Sequence, residues 1–357
     1  MKKAFFVIAF LSLIFLIGCT TPSDEEKTKI GVIVPLSGPL AEYGVAMQNG
    51  LVLAKENLGA EASGFELIFE DSQYDPKIAV LAYTKLSQVD EVDFVVVFGS
   101  PTSEAIAPIV DSQRVPMVST AIATEIPKES PFIVRGLDRP EAYTVKTLEY
   151  LREQNISRIG MVKAENSYIQ YLYDSLLESK LPEEKIVLID NYTLGDNDFR
   201  ASLLKIKESD VEAIGVFLGS GQISLFYKQA TELGVNLPTF GTDFFESQTE
   251  IDNADGAMEE AIYANNEVDA DFKESYRNRF GNESQIVYAG YSYDLFRIMV
   301  KKGNFESPEK FMESLKNVKD FEGILGPTSY TEKEGDRYFQ KPVYMKKIEN
   351  NEITTIT

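Results

Sequence analysis

Short apolar runs rich in Val, Ile and Phe alternate along this chain with amphipathic stretches of helical length. Residues 29–35 read as a strand, followed by a turn at Gly38-Pro39 and a helix over about 44–58. A strand over 65–70 precedes Asp75-Pro76, an N-cap and first-turn pair that opens a helix to about 89. Residues 93–98 are apolar on both faces, as strands of parallel sheets are. Ser100 begins another helix, and 116–119 is another strand. The alternation then restarts. Helices over 143–155, 168–179, 199–209 and 220–233 interleave with strands over 158–162, 186–190, 213–218 and 239–241, and 256–265 includes one more. This rhythm predicts an α/β protein of two units, each a parallel sheet with helices on both faces. Between them, 131–140 (PFIVRGLDRP) reads as a crossing strand and linker.

Composition narrows the chemistry. The 357 residues are 44% hydrophobic and 25% charged, which suits two globular domains of ordinary size. The net charge of −21 disfavours nucleic acid as a partner, since such partners need basic patches. There is no histidine, which removes Ser-His-Asp triads, His zinc sites and the commonest neutral-pH base. A phosphate loop of the G-x-x-x-x-G-K-[ST] type is absent, and Gly219-Ser220-Gly221 follows a strand without completing a dinucleotide fingerprint. No cofactor, metal or catalytic residue is therefore expected. A secreted hydrolase using Ser and Lys is the enzyme alternative, and it would need a lysine beside Ser100, Ser119 or another nucleophile.

The single cysteine, Cys19, ends an N-terminal signal-like stretch. Lys2 and Lys3 supply a charged start, 4–17 form an apolar run, and Leu16-Ile17-Gly18-Cys19 matches a lipobox. The expectation is a signal peptide over 1–19, acylation of Cys19, a flexible tether over 20–28 and an extracytoplasmic body anchored to the membrane.

Three strand ends and a fourth, aromatic group suit a small zwitterion, because open α/β sheets bind ligands beyond the carboxyl ends of their strands. Phe98-Gly99-Ser100-Pro101 offers exposed amides, a hydroxyl for capping and the positive end of a helix, a seat for a carboxylate. The second end, 119–124 (STAIAT), adds hydroxyls and small side chains. Asp243 follows the strand ending at Gly241, and a buried Asp needs a partner such as an ammonium. Tyr43, Tyr168 and Tyr288 are candidate aromatic walls.

These segments together resemble the leucine/isoleucine/valine-binding family of extracytoplasmic solute receptors, which serve ABC importers and have the type I periplasmic-binding fold. GVIVPLSGPLAEYG, EDSQYDPKIAV with VVVFGSPTSEAIAP, VPMVSTAIAT, FGTDFF and ILGPTSYTEKEGD carry the likeness, over about 29–348. The resemblance implies two Rossmann-like doubly wound lobes joined by three hinge strands. Lobe one would be 29–137 plus 266–326 and lobe two 138–265 plus 331–357, with crossings near 135–138, 265 and 327–330. It also implies that Ser100, Ala121 and Thr124 hold a ligand carboxylate and ammonium, that Asp243 pairs with the α-ammonium, and that Tyr43, Tyr168 and Phe98 line the cleft. Gly219 and Ser220 stand where branched-chain receptors carry a tyrosine, which opens the ligand class. An amino acid delivered to importer membrane subunits is the main expectation. Amides, urea-like compounds, aromatic acids or a sensory lobe are the alternatives.

Overall fold

The computed structural model describes residues 27–356 and contains two sheets built on one strand order. In the first half β1 (Thr28–Val34), β2 (Phe65–Asp71), β3 (Phe94–Phe98), β4 (Met117–Thr120) and β5 (Ile133–Arg135) run parallel in the order β2-β1-β3-β4-β5. In the second half β6 (Arg158–Ala164), β7 (Lys185–Tyr192), β8 (Ala213–Phe217), β9 (Thr239–Gly241) and β10 (Ile262–Asn265) repeat it as β7-β6-β8-β9-β10. Every residue of β3 and β8 is buried, the reason their apolar runs lack alternation.

Helices α1 (Ala41–Leu58), α2 (Pro76–Gln88) and α3 (Ser100–Gln113) follow the first three strands, and α4 (Pro140–Glu153) opens the second half. There α5 (Ser167–Ser179), α6 (Arg200–Glu208), α7 (Ile223–Leu233) and α8 (Gln248–Ala254) follow β6 to β9. Asp75 caps α2, its Oδ1 accepting from the Lys77 and Ile78 amides at 2.7 and 3.1 Å. Three helix starts move from their expected places, α4 opening at Pro140 rather than 143 with proline in its first turn. Helix α1 begins earlier, at Ala41, whose amide bonds the Gly38 carbonyl at 3.1 Å. Helix α7 begins later, because Gly221 takes a left-handed φ of 84° and keeps 220–222 in a turn.

After β10 the chain returns to the first half through α9 (Ala270–Phe280), α10 (Ile286–Lys302) and α11 (Pro308–Leu315). Helix α10 lies so close on α1 that a Cβ on Gly50 would meet the Ala289 carbonyl at 2.1 Å. Next come β11 (Phe321–Gly323), β12 (Gly326–Lys333) and β13 (Asp336–Gln340) in the first sheet, then β14 (Tyr344–Glu349) and β15 (Glu352–Ile356) in the second.

The expected crossing at 327–330 is overturned by this pairing. Strand β12 turns back through Glu334 and Gly335, both at positive φ, into β13, which pairs with β5. Residues 331–340 therefore belong to the first lobe, and the third crossing is 341–343. The cause is electrostatic as well as topological. Asp336 binds the fully buried Arg135 guanidinium through two bonds of 2.8 and 2.7 Å, so the hairpin cannot leave β5 without stranding a charge.

The three passages are stitched together where they run side by side. The Lys341 Nζ donates to the Gly136 carbonyl at 2.6 Å and the Lys341 amide to Asp138 Oδ1 at 2.8 Å. Asn266 Nδ2 donates to the Pro342 carbonyl at 2.6 Å. Burial pulls the Lys341 ammonium below its ordinary pKa, against the opposing charges of Asp138 and Asp294. Cys19 and the tether up to residue 26 lie outside the described residues. Among the described residues no helix is long and apolar enough to cross a membrane.

Candidate functional site

The cleft is assembled where strands end and helices begin. In doubly wound sheets these ends gather on one side, at the switch between β1 and β3 or β6 and β8. Tyr43 sits in the first turn of α1, Phe98 closes β3, Tyr168 lies in the first turn of α5, and Tyr288 in the first turn of α10. Asp243 opens a short 3₁₀ turn, Asp243–Glu246, immediately after β9. Thr242 caps that turn, accepting the Phe244 amide at 3.3 Å, which directs Asp243 inward.

Asp243 is the centre of the arrangement. Its Oδ2 accepts the Tyr288 hydroxyl at 2.7 Å and its Oδ1 the Tyr168 hydroxyl. Tyr168 shares its lobe, whereas Tyr288 comes from the other one, so the carboxylate bridges the two. The side chain is only 6% exposed and has no ion-pair partner among the described residues. Burial pushes its pKa up to about 6, partly offset by the two hydroxyl bonds, with Glu246 adding to the rise.

Rings close around this carboxylate. Tyr43 packs on Phe98, Tyr288 and Phe244 at centroid distances of 5.9, 5.1 and 5.6 Å, and Tyr168 stacks on Phe244 at 5.5 Å. Ser247 of the second lobe donates to Glu42 of the first at 2.8 Å, and the Tyr143 and Tyr291 hydroxyls meet across the boundary at 3.3 Å. The lobes are thus shut. The cavity left beside Asp243, bounded by Tyr143, Phe217 and Thr242, is about 20 Å³, room for about one water. A larger cavity of about 630 Å³ opens among Tyr150, Ile214, Thr239 and Ile262, at the amino ends of the second-lobe strands and away from Asp243.

The anion seat differs in detail from its expected form. Gly99, at φ 85°, is the N-cap of α3, and Ser100 is already helical. A Cβ at Gly99 would meet the Tyr74 ring at 2.5 Å, so only glycine fits. The buried Ser100 Oγ accepts the Ile122 amide at 3.3 Å, tying the seat to the 121–124 segment rather than capping its own helix. Ala121 is buried and its carbonyl accepts from Arg135 at 3.0 Å; Thr124 is half-buried in the following turn. Ser119 donates to Ser103 at 2.6 Å, so the hydrogen bonds of both cleft serines go to groups other than lysine.

Gly219 and Ser220 lie in the turn ahead of α7. The Gly219 amide bonds the Gln222 side chain at 3.1 Å, and a Cβ there would meet Leu194 at 2.7 Å. The start of α7 is occupied by the chain's own carboxylate, with buried Glu250 accepting from the Gly221 and Ser224 amides, the latter at 2.7 Å. The structure therefore gathers Tyr43, Phe98, Tyr168, Tyr288 and Asp243 into one cluster and joins Ser100 to the 121–124 segment. It sets Gly219 against Leu194 and Gln222, with Ser220 in the turn that follows. Phe244 and Glu42 escaped the reading of the chain; the aromatic pair in FGTDFF was the available signal for the first, and Glu42 carried none.

A family model described as periplasmic binding protein matches residues 27–352. The leucine-, isoleucine-, valine-, threonine- and alanine-binding protein of Pseudomonas aeruginosa is 25% identical, over 89% of this chain and 90% of that one. The branched-chain amino acid transporter substrate-binding protein LivJ of Streptococcus pneumoniae, solved with isoleucine, superposes with a TM-score of 0.82 at 24% identity, covering 92% of this chain and 99% of that one. A solute-binding protein of an ABC transporter from R. palustris, solved with benzoate, gives 0.81 at 16% identity, with 92% and 95% covered. Both structural likenesses concern the fold.

Proposed function

The chain belongs to the periplasmic binding protein family, extracytoplasmic substrate-binding proteins of ABC transporters, and from that premise we propose that it captures an amino acid between its lobes. Asp243 is the observation that carries this reading. It is a buried carboxylate at the lobe boundary with no cationic partner among the described residues, and a ligand ammonium is the group that would complete it. The opposite charge, the ligand carboxylate, is taken by the Gly99-Ser100 helix start with the 121–124 segment.

Capture begins with the lobes apart and the ligand on the first lobe, at Ser100 and 121–124. Closure then swings Asp243 and Tyr168 over it, driven by contacts that exist only in the shut form. The ammonium shares or displaces the Tyr288 hydroxyl, and the three linked crossings guide the motion. The lipobox reading adds acylated Cys19 as the membrane anchor, so the receptor would wait beside its importer.

A thermal-shift screen of amino acids, small amides and aromatic acids tests the ligand class. Bound ligand at a hundred times its dissociation constant adds about 2.7 kcal/mol of apparent stability. Stabilisation by benzoates or amides alone, with none by any amino acid, would overturn the reading.

A further inference from the structure

One hydroxyl in the cleft is left over. Tyr43 is 0% exposed, and its Oη has no hydrogen-bond partner among the described residues. Its neighbours around Asp243 are all satisfied: Tyr168 and Tyr288 donate to the carboxylate, and Tyr143 and Tyr291 meet each other. The ring is held between Phe98 and Tyr288 of the first lobe and Phe244 of the second, so the hydroxyl belongs to the boundary the ligand occupies. Burial, and then the charge of Asp243, hold its pKa well above the ordinary tyrosine value, which keeps it a donor.

An unpaired buried hydroxyl is costly, and phenylalanine would fill the same space without that cost. Building on the amino-acid reading above, we propose that Tyr43 donates a hydrogen bond to a polar atom of the ligand side chain, making this a receptor for hydroxyl- or carboxamide-bearing amino acids. A branched aliphatic side chain of the same shape would leave the hydroxyl orphaned. Sites built to pair a polar ligand atom reject the apolar isostere strongly.

Isothermal titration calorimetry with two near-isosteric pairs, threonine against valine and asparagine against leucine, tests this on the protein and on Tyr43→Phe. The unaltered protein should favour the polar member of each pair by about tenfold or more. In Tyr43→Phe both ratios should fall toward one. Aliphatic members binding as well as polar ones, or ratios unmoved by the substitution, would overturn the proposal. If valine and leucine bind through Asp243 without a polar preference, only this inference fails. If none of the four binds, this inference falls, and the amino-acid reading is decided separately by the thermal-shift screen across all amino acids. A second readout needs no ligand: Tyr43→Phe should melt no lower than the unaltered protein, and a clearly lower melting temperature would mean the hydroxyl already has a protein partner.

Discussion

The Tyr288 hydroxyl of the first lobe donates to Asp243 of the second at 2.7 Å, so one carboxylate oxygen spans the boundary. A hydrogen bond to a buried charged group contributes about 1.5–3 kcal/mol. Tyr288→Phe keeps the ring contacts with Phe98 and Tyr43 and removes only that bond. The shut form should lose about tenfold or more in population relative to the open one. Small-angle scattering of the ligand-free protein would show a larger radius of gyration, and an unchanged radius would contradict the latch.

Asp243→Asn separates stability from recognition. The neutral amide removes a buried unpaired charge, so the ligand-free protein should gain on the order of 2–3 kcal/mol at pH 7. Amino-acid affinity should fall by tenfold or more for want of a partner to the ammonium. Calorimetry showing undiminished affinity would dispose of the ammonium role.

The pH dependence follows from the same group. Asp243 titrates at about 6 in the folded protein against 3.8 for a free side chain, so its contribution to stability is fully present below about 3.8. That contribution is lost as pH rises through about 6. Ammonium binding has the opposite slope, because it needs the ionised form. Affinity for a zwitterion should rise from pH 5 to 7 and level off above, whereas Asp243→Asn should show a flat profile. The other groups facing it are Glu246 and the hydroxyls of Tyr43, Tyr143, Tyr168 and Tyr288, and burial holds those four hydroxyls protonated across this range.

Arg135 and Asp336 anchor the hinge, both fully buried. Asp336→Ala strands the guanidinium and should cost about 3–5 kcal/mol, visible as a drop in the denaturant midpoint. Arg139, 3.3 Å from the same carboxylate, is partly exposed and should matter less.

Much of the architecture is written locally. The unbroken apolar runs 94–98 and 213–217 can only be strands covered on both faces, and Asp75-Pro76 announces its helix, because periodicity and capping are short-range effects. Asp243 and Phe98 were legible as strand-end residues for the same reason, the chain itself marking where each strand stops, whereas Tyr168 was marked only as a candidate aromatic wall. What the order of residues could not specify was which half the hairpin 326–340 joins, since β12 and β13 look alike beside either sheet until Asp336 finds Arg135 some two hundred positions away. Nor could it show that Glu250, rather than a ligand, fills the start of α7, or that Tyr43 alone among the cleft tyrosines keeps an unanswered hydroxyl. Charge pairing and burial depend on neighbours distant in sequence, and only the folded chain brings those together.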